Sequence, residues 1–100
     1  MINREYLILF KMKAYLDLKA RKENGEEVDS RNIKKHKNDV LRITAEFLLK
    51  HISVLPESVY MDVRKFFEKL AEEPFDASLL QNYGLSNMEL VERLQEIYFL

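Results

Sequence analysis

Residues 29–50, DSRNIKKHKNDVLRITAEFLLK, hold the pattern that decides the fold. Asp29 or Ser30 offers a side-chain oxygen suited to the N-cap of a helix. Apolar residues then recur at helical spacing on one face, which predicts a helix running to about Lys50. Its predicted core face comprises Ile33, Val40, Leu41, Thr44, Phe47 and Leu48.

The preceding part of the chain predicts another helix, from about Asn3 to Asn24, with Gly25 placed to end it in the left-handed conformation. Residues 6–10, YLILF, are apolar on every side and suit either a buried helix start or a short strand; periodicity does not separate the two. The expected core face of this helix comprises Leu7, Phe10, Ala14 and Leu18.

Three further helices are expected after residue 50. Pro56 suits the first turn of one, which Pro74 ends. Asp76 caps a short helix through Leu80 that ends before Gly84, and Ser86 with Glu89 has the spacing of a capping box. The expected core residues are Val59, Val63, Phe66, Phe67 and Leu70, then Leu90, Val91, Leu94, Ile97 and Tyr98.

Composition supports an all-α single domain over residues 1–100, a small bundle of four to five helices. The chain is 47% apolar and 33% charged, and it has only two Gly and two Pro, too few for a sandwich of many short strands. No apolar run is long enough to span a membrane and no Cys is present, so we expect a cytoplasmic protein without a disulfide or thiolate metal site. The aromatic residues expected in the core are Tyr6, Phe10, Tyr15, Phe66, Phe67, Tyr98 and Phe99.

Positive charge is concentrated in the first half of the sequence. Residues 1–50 hold 12 Lys and Arg against 8 Asp and Glu, whereas residues 51–100 hold 4 against 9. A cationic run opens the second helix and suits a phosphate-bearing partner. The alternative is a solvated face on which Asp39 pairs with Lys35 and Arg42. The run comprises Arg31, Lys34, Lys35, Lys37 and Arg42.

Lys11 is the least expected residue of the first helix, because it falls on the stripe of Leu7, Ala14 and Leu18. Such a lysine either extends its ammonium to solvent or meets an anion. His36 lies next to Asp39 and could act as a general base, although no nucleophile accompanies it. The sequence has no metal-ligand spacing and no glycine-rich phosphate loop.

Three segments, FKMKAYLDL at 10–18, EEVDS at 26–30 and KKHKNDV at 34–40, give the chain a family resemblance. They resemble the C-terminal helical portion of nucleotidyltransferase-like proteins of the AbiEii/AbiGii abortive-infection toxin group, in a form associated with Bacteroides-type bacteria. Residues 53–100 agree with that group only in helical layout. The resemblance therefore implies that the chain is the C-terminal helical domain of such a protein, either as a fragment of it or as a truncated gene product.

The resemblance also assigns roles to two residues. A Lys-x-x-Ala motif, whose lysine contacts nucleotide phosphates, matches residues 11–14 and implies that Lys11 binds nucleotide. An Arg-Asp-x-x-Asp motif matches residues 35–39 only at its last position, which implies a catalytic part for Asp39 in orienting or activating the acceptor. Lys35 and His36 stand where the family has Arg and Asp.

The family's catalytic domain, with its Gly-Ser loop and Asp-x-Asp pair, has no counterpart here. We therefore expect a chain that is non-catalytic alone and holds no cofactor, whereas a complete homologue would use Mg²⁺ and a nucleoside triphosphate. Arg31, Lys34, Lys35 and Lys37 are candidate contacts for nucleotide or RNA. The apolar N-terminal segment is expected to meet the upstream catalytic domain, another protein or a second copy. The alternatives are a helical protein-interaction or regulatory module and, ranked last, a nucleic-acid-binding domain.

Overall fold

The computed structural model describes residues 3–52 and 54–99, which form five helices without a strand. This confirms the all-α prediction. The helices are α1 (Arg4–Glu23), α2 (Ser30–Glu46), α3 (Glu57–Glu72), α4 (Ala77–Asn82) and α5 (Asn87–Tyr98).

Local capping chemistry sets most of the helix ends. The Asp29 side chain accepts from the backbone N–H of Arg31 at 2.9 Å, and Asp76 caps α4 in the same way. Ser86 accepts from the Glu89 N–H at 3.1 Å, which supplies one half of the predicted capping box. Gly25 follows α1 with a positive φ of 88°, as a helix-ending glycine should. Pro56 stands one residue before α3 rather than within its first turn.

Helix α1 buries a different face from the one the sequence predicted. Ile8, Met12 and Tyr15 are its buried residues, one position away from the expected stripe. Tyr6 and Phe10, which were expected in the core, are 53% and 64% exposed. Because residues 6–10 are apolar all round, the sequence could not indicate which side faces the bundle.

Helix α2 ends at Glu46, one turn before the predicted end at Lys50. The chain turns away there because its backbone finds tertiary partners: the Lys50 N–H donates to the Glu5 carboxylate at 3.0 Å, and the Ile52 N–H to the Ile97 carbonyl at 2.8 Å. As a consequence Phe47 and Leu48, both expected in the core, are exposed.

The helices form a bundle in which α1 and α2 are antiparallel, since Lys11 meets Asp39 and Lys22 meets Ser30. Phe66 of α3 packs edge-on against the Tyr15 ring with 5.5 Å between centroids. Helix α5 packs on α2 and α3. The core residues predicted for α3 and α5 are buried or packed against the core, except Val59, which is half-buried and lines a surface groove instead. The bundle thus has two ends: one holds the C-termini of α1 and α3 and the N-terminus of α2, and the other holds the opposite termini.

Candidate functional site

Lys11 and Asp39, 28 positions apart in the sequence, form an ion pair across the seam between α1 and α2. The Lys11 ammonium lies 3.0 Å from one Asp39 carboxylate oxygen, and the two side chains are 21% and 20% exposed. Arg42 approaches the other oxygen at 3.5 Å. Lys11 therefore stands at the edge of the core, where Asp39 supplies the anion that a half-buried lysine requires.

His36 lies in the same cluster, one turn before Asp39. Its Nδ1 is buried and has no hydrogen-bond partner. Burial lowers the pKa of His36, and the neighbouring Lys11 lowers it further, while Asp39 acts in the opposite direction. The cluster thus combines a neutral imidazole with an ammonium and a carboxylate, groups that can contact a phosphate and orient a hydroxyl.

The cationic run on α2 does not form one surface. Arg31 pairs with the N-cap carboxylate of Asp29 at 3.2 Å, and Lys34 pairs with Asp76 at 3.5 Å. Lys35 is exposed, whereas Lys37 is only 8% exposed. Of these four candidate contacts, Lys34 and Lys37 face a cleft and the other two do not line it.

Lys37 closes the end of α3. Its ammonium donates to the Glu73 carbonyl and, at 3.1 Å, to the Pro74 carbonyl. It also lies 5.7 Å from the centroid of the Tyr15 ring, within cation–π range. Burial lowers the pKa of Lys37, and the Glu73 carboxylate partly offsets this shift. In this position the Lys37 side chain serves the fold, since it joins α2 to the end of α3.

The cleft has a volume of about 710 Å³ and opens between α1, the start of α2 and residues 73–76. Tyr15 and Lys37 contribute to its wall, and Lys19 spans it to reach Glu73 at 2.6 Å. Neither Lys11 nor Asp39 lines it. Sequence reasoning missed Tyr15, Lys19 and Lys22 as site residues. Their proximity to Lys34 and Lys37 follows from the register between α1 and α2, which the sequence does not reveal.

An exposed apolar surface marks the opposite end of the bundle. A groove of about 260 Å³ runs between α1 and α3 there, lined by Tyr6, Leu9 and Phe10 on one side and by Leu55 and Val59 on the other. The exposed apolar residues on or beside this end, which we call the apolar end, are Tyr6, Phe10, Phe47, Leu48, Val54 and Met61.

Two features are absent from residues 3–52 and 54–99. None of the helices there combines the length and the apolar character needed to cross a bilayer. The same residues hold no group of three or more His, Cys, Asp or Glu side chains placed to bind a metal ion. Comparison with protein-family models, with curated proteins and with solved structures found no match to this chain.

Proposed function

We propose that this chain is the helical C-terminal part of a bacterial, cytoplasmic nucleotidyltransferase of the AbiEii/AbiGii toxin group, and that it contributes substrate contacts without being catalytic alone. One observation carries the proposal: Lys11 and Asp39, the two residues to which the resemblance gives roles, lie 3.0 Å apart. Both side chains keep about a fifth of their surface open to solvent, so a substrate can reach them.

The chemistry of phosphoryl transfer explains the division of labour. Transfer to a hydroxyl depends on positioning and on neutralising phosphate charge, with metal ions held by carboxylates. In the proposed enzyme another domain holds Mg²⁺ and the nucleoside triphosphate. Lys11 supplies positive charge to a phosphate oxygen, and Asp39 accepts a hydrogen bond from the acceptor hydroxyl. His36 borders both groups as a neutral imidazole.

An amide-resolved NMR titration of the chain with magnesium ribonucleoside triphosphates tests this proposal. We expect saturable shifts around Lys11, His36 and Asp39, which Lys11→Met abolishes. Lys65→Met removes an exposed lysine of α3 and should leave the shifts unchanged. Absence of shifts at millimolar nucleotide, in a variant set that remains folded, would overturn the assignment of nucleotide contacts to this chain.

The apolar end favours a second candidate, a helical protein-interaction or regulatory module that does not bind nucleotide. Tyr6 and Phe10 are more than half exposed, beside a groove with apolar walls. Contiguous apolar surface of this kind is typical of an interface. The covering partner would be an upstream catalytic domain, another protein or a second copy of the chain.

Sedimentation velocity over a hundredfold concentration range tests the self-association arm of this candidate. Phe10→Ser combined with Leu48→Ser should abolish a concentration-dependent rise in sedimentation coefficient, while Met88→Ser, on exposed α5 surface, should not. A wild-type chain that sediments as a monomer at every concentration would rule out the second copy as partner and leave a different protein.

A further inference from the structure

The wall of the cleft contains a buried hydroxyl that has no partner in good hydrogen-bond geometry. Tyr15 is 2% exposed, yet its hydroxyl makes no hydrogen bond. A buried hydroxyl without a partner costs free energy, so such groups usually bond to water or to a ligand. The neighbouring Lys19 ammonium acts on the phenol through its charge and through weak hydrogen bonding, which oppose the rise in the pKa of Tyr15 caused by burial, whereas its short contact, at 2.6 Å, is with the Glu73 carboxylate.

The ammonium groups of the cleft fall into two classes. Lys19 and Lys34 face carboxylates, those of Glu73 and Asp76. Lys22 donates to the Ser30 hydroxyl and Lys37 to two backbone carbonyls, so both meet neutral oxygens. Among the described residues, neither Lys22 nor Lys37 thus has a carboxylate at ion-pair distance, although Glu73 acts on Lys37 from farther away, and both ammonium groups retain an N–H donor for a further acceptor.

These groups match a dianion with several oxygens. A phosphate monoester carries a charge of about −1.5 to −2 near neutral pH and three acceptor oxygens. The donors at the wall of the cleft are the Tyr15 hydroxyl, which is buried, and the ammonium groups of Lys22 and Lys37. Ile33 and Pro74 add apolar surface to the same wall. At about 710 Å³ the cleft is also within the usual size of a small-molecule site, roughly 300–1,000 Å³.

We propose that the cleft between α1, α2 and residues 73–76 binds a small phosphate monoester, with its phosphate on Tyr15, Lys22 and Lys37 and its organic part against Ile33 and Pro74. The acidic residues Glu23, Glu73 and Asp76 line the same cleft and disfavour a larger polyanion. This site is separate from the Lys11–Asp39 pair, and it does not depend on the proposed function.

The test is an NMR titration with inorganic phosphate and with phenyl phosphate, at constant ionic strength, with phenol as the uncharged control. We expect saturable shifts confined to the residues of the cleft, and tighter binding of phenyl phosphate than of phosphate. Tyr15→Phe should weaken binding about fivefold, the usual effect of one hydrogen bond. Lys22→Gln, which removes a charge-assisted bond, should weaken it about tenfold or more.

Lys65→Gln and Lys11→Met are the matched controls, since neither side chain lines the cleft. Both should leave the affinity for phenyl phosphate unchanged, so loss of nucleotide binding and loss of monoester binding can be told apart. Shifts that rise linearly without saturation would overturn the proposal. So would equal affinities of the wild type and a folded Tyr15→Phe variant, because water alone would then account for the hydroxyl.

Discussion

The two ends of the bundle differ in which side chains they bury and which they expose. At the cleft, charged side chains reach across helices and find acceptors, as Lys19 does with Glu73 and Lys37 with two carbonyls. At the apolar end, Leu48 is fully exposed and Phe10 is 64% exposed. Residue type alone would place these groups the other way round, with the lysine in water and the leucine inside.

This difference indicates which end contributes to the stability of the folded chain and which end is suited to binding a partner. A buried lysine that closes the C-terminal end of a helix contributes to the fold, because its removal leaves two partly buried carbonyls without their donor. An exposed leucine adds little to the stability of the isolated chain, because its side chain is in water whether the chain is folded or unfolded. Its value would appear only on binding to a partner.

The largest expected effect is the difference in stability between two alanine substitutions, one of Lys37 at the cleft and one of Leu48 at the apolar end. Lys37→Ala should lower the free energy of unfolding by about 2–4 kcal/mol, through the lost hydrogen bonds and the lost packing of the stem on Tyr15. Leu48→Ala should change it by less than about 0.5 kcal/mol. Urea denaturation followed by circular dichroism measures both.

Lys35→Ala controls for the loss of charge, since Lys35 is exposed and lies two positions before Lys37 in the same cationic run. It should also stay within about 0.5 kcal/mol of the wild type. If Lys35→Ala and Lys37→Ala had equal effects, the contrast between the two ends would fail, because net charge rather than the bonds of Lys37 would explain the loss.

The same contrast shows how far sequence reasoning extends. Helices α3, α4 and α5 were predicted, as were the caps of α4 and α5 and most core residues of α3 and α5, because Asp76 and Ser86 are strong local signals. The predictions of the buried face of α1 and of the C-terminal end of α2 were wrong. Both depend on tertiary contacts: the apolar run at 6–10 offers several faces, and residues 50 and 52 leave the helix to bond to α1 and α5.

The candidate sites differ in the same respect. Lys11 and Asp39 were singled out from short sequence motifs, and the hairpin of α1 and α2 brings them together. Lys37 was grouped with its charged neighbours, although the structure buries it. The hydroxyl of Tyr15 could not have been identified, since whether a buried group has a partner depends on the positions of every element around it.

Two buried tyrosines, one at each end of the bundle, allow a second comparison, for which we expect an effect of intermediate size on the free energy of unfolding. Tyr98 lies beneath the apolar end and donates to the Glu5 carbonyl at 2.6 Å, whereas Tyr15 at the cleft has no partner. Tyr98→Phe should therefore cost about 1–2 kcal/mol of unfolding free energy. Tyr15→Phe should be neutral or stabilising, within about 0.5 kcal/mol, because it removes a hydroxyl that is already desolvated.

Thermal unfolding in a phosphate-free buffer measures the tyrosine pair, and near-UV circular dichroism verifies that both variants keep the packed core. An equal loss of stability in the two variants would mean that the Tyr15 hydroxyl is satisfied in the free protein, most simply by water. The cleft would then hold no unsatisfied hydroxyl, and the contrast with Tyr98 would disappear.

The smallest expected effect concerns pH and the seam between the two ends. His36 faces Lys11 from α1 and Lys35 and Asp39 from its own helix, and burial lowers its pKa below the ordinary value of about 6.5. The folded chain then binds fewer protons than the unfolded chain. The stability contributed by neutral His36 is therefore complete above about pH 6.5, and it falls as the pH drops through this value toward the lowered pKa.

Urea denaturation between pH 7.5 and 5 measures how the free energy of unfolding changes with pH. His36→Gln should flatten this slope, while His51→Gln should retain the part due to His36. An unchanged slope in His36→Gln would show that the imidazole titrates alike in the folded and unfolded chain, and that the seam is as open to solvent as the ends.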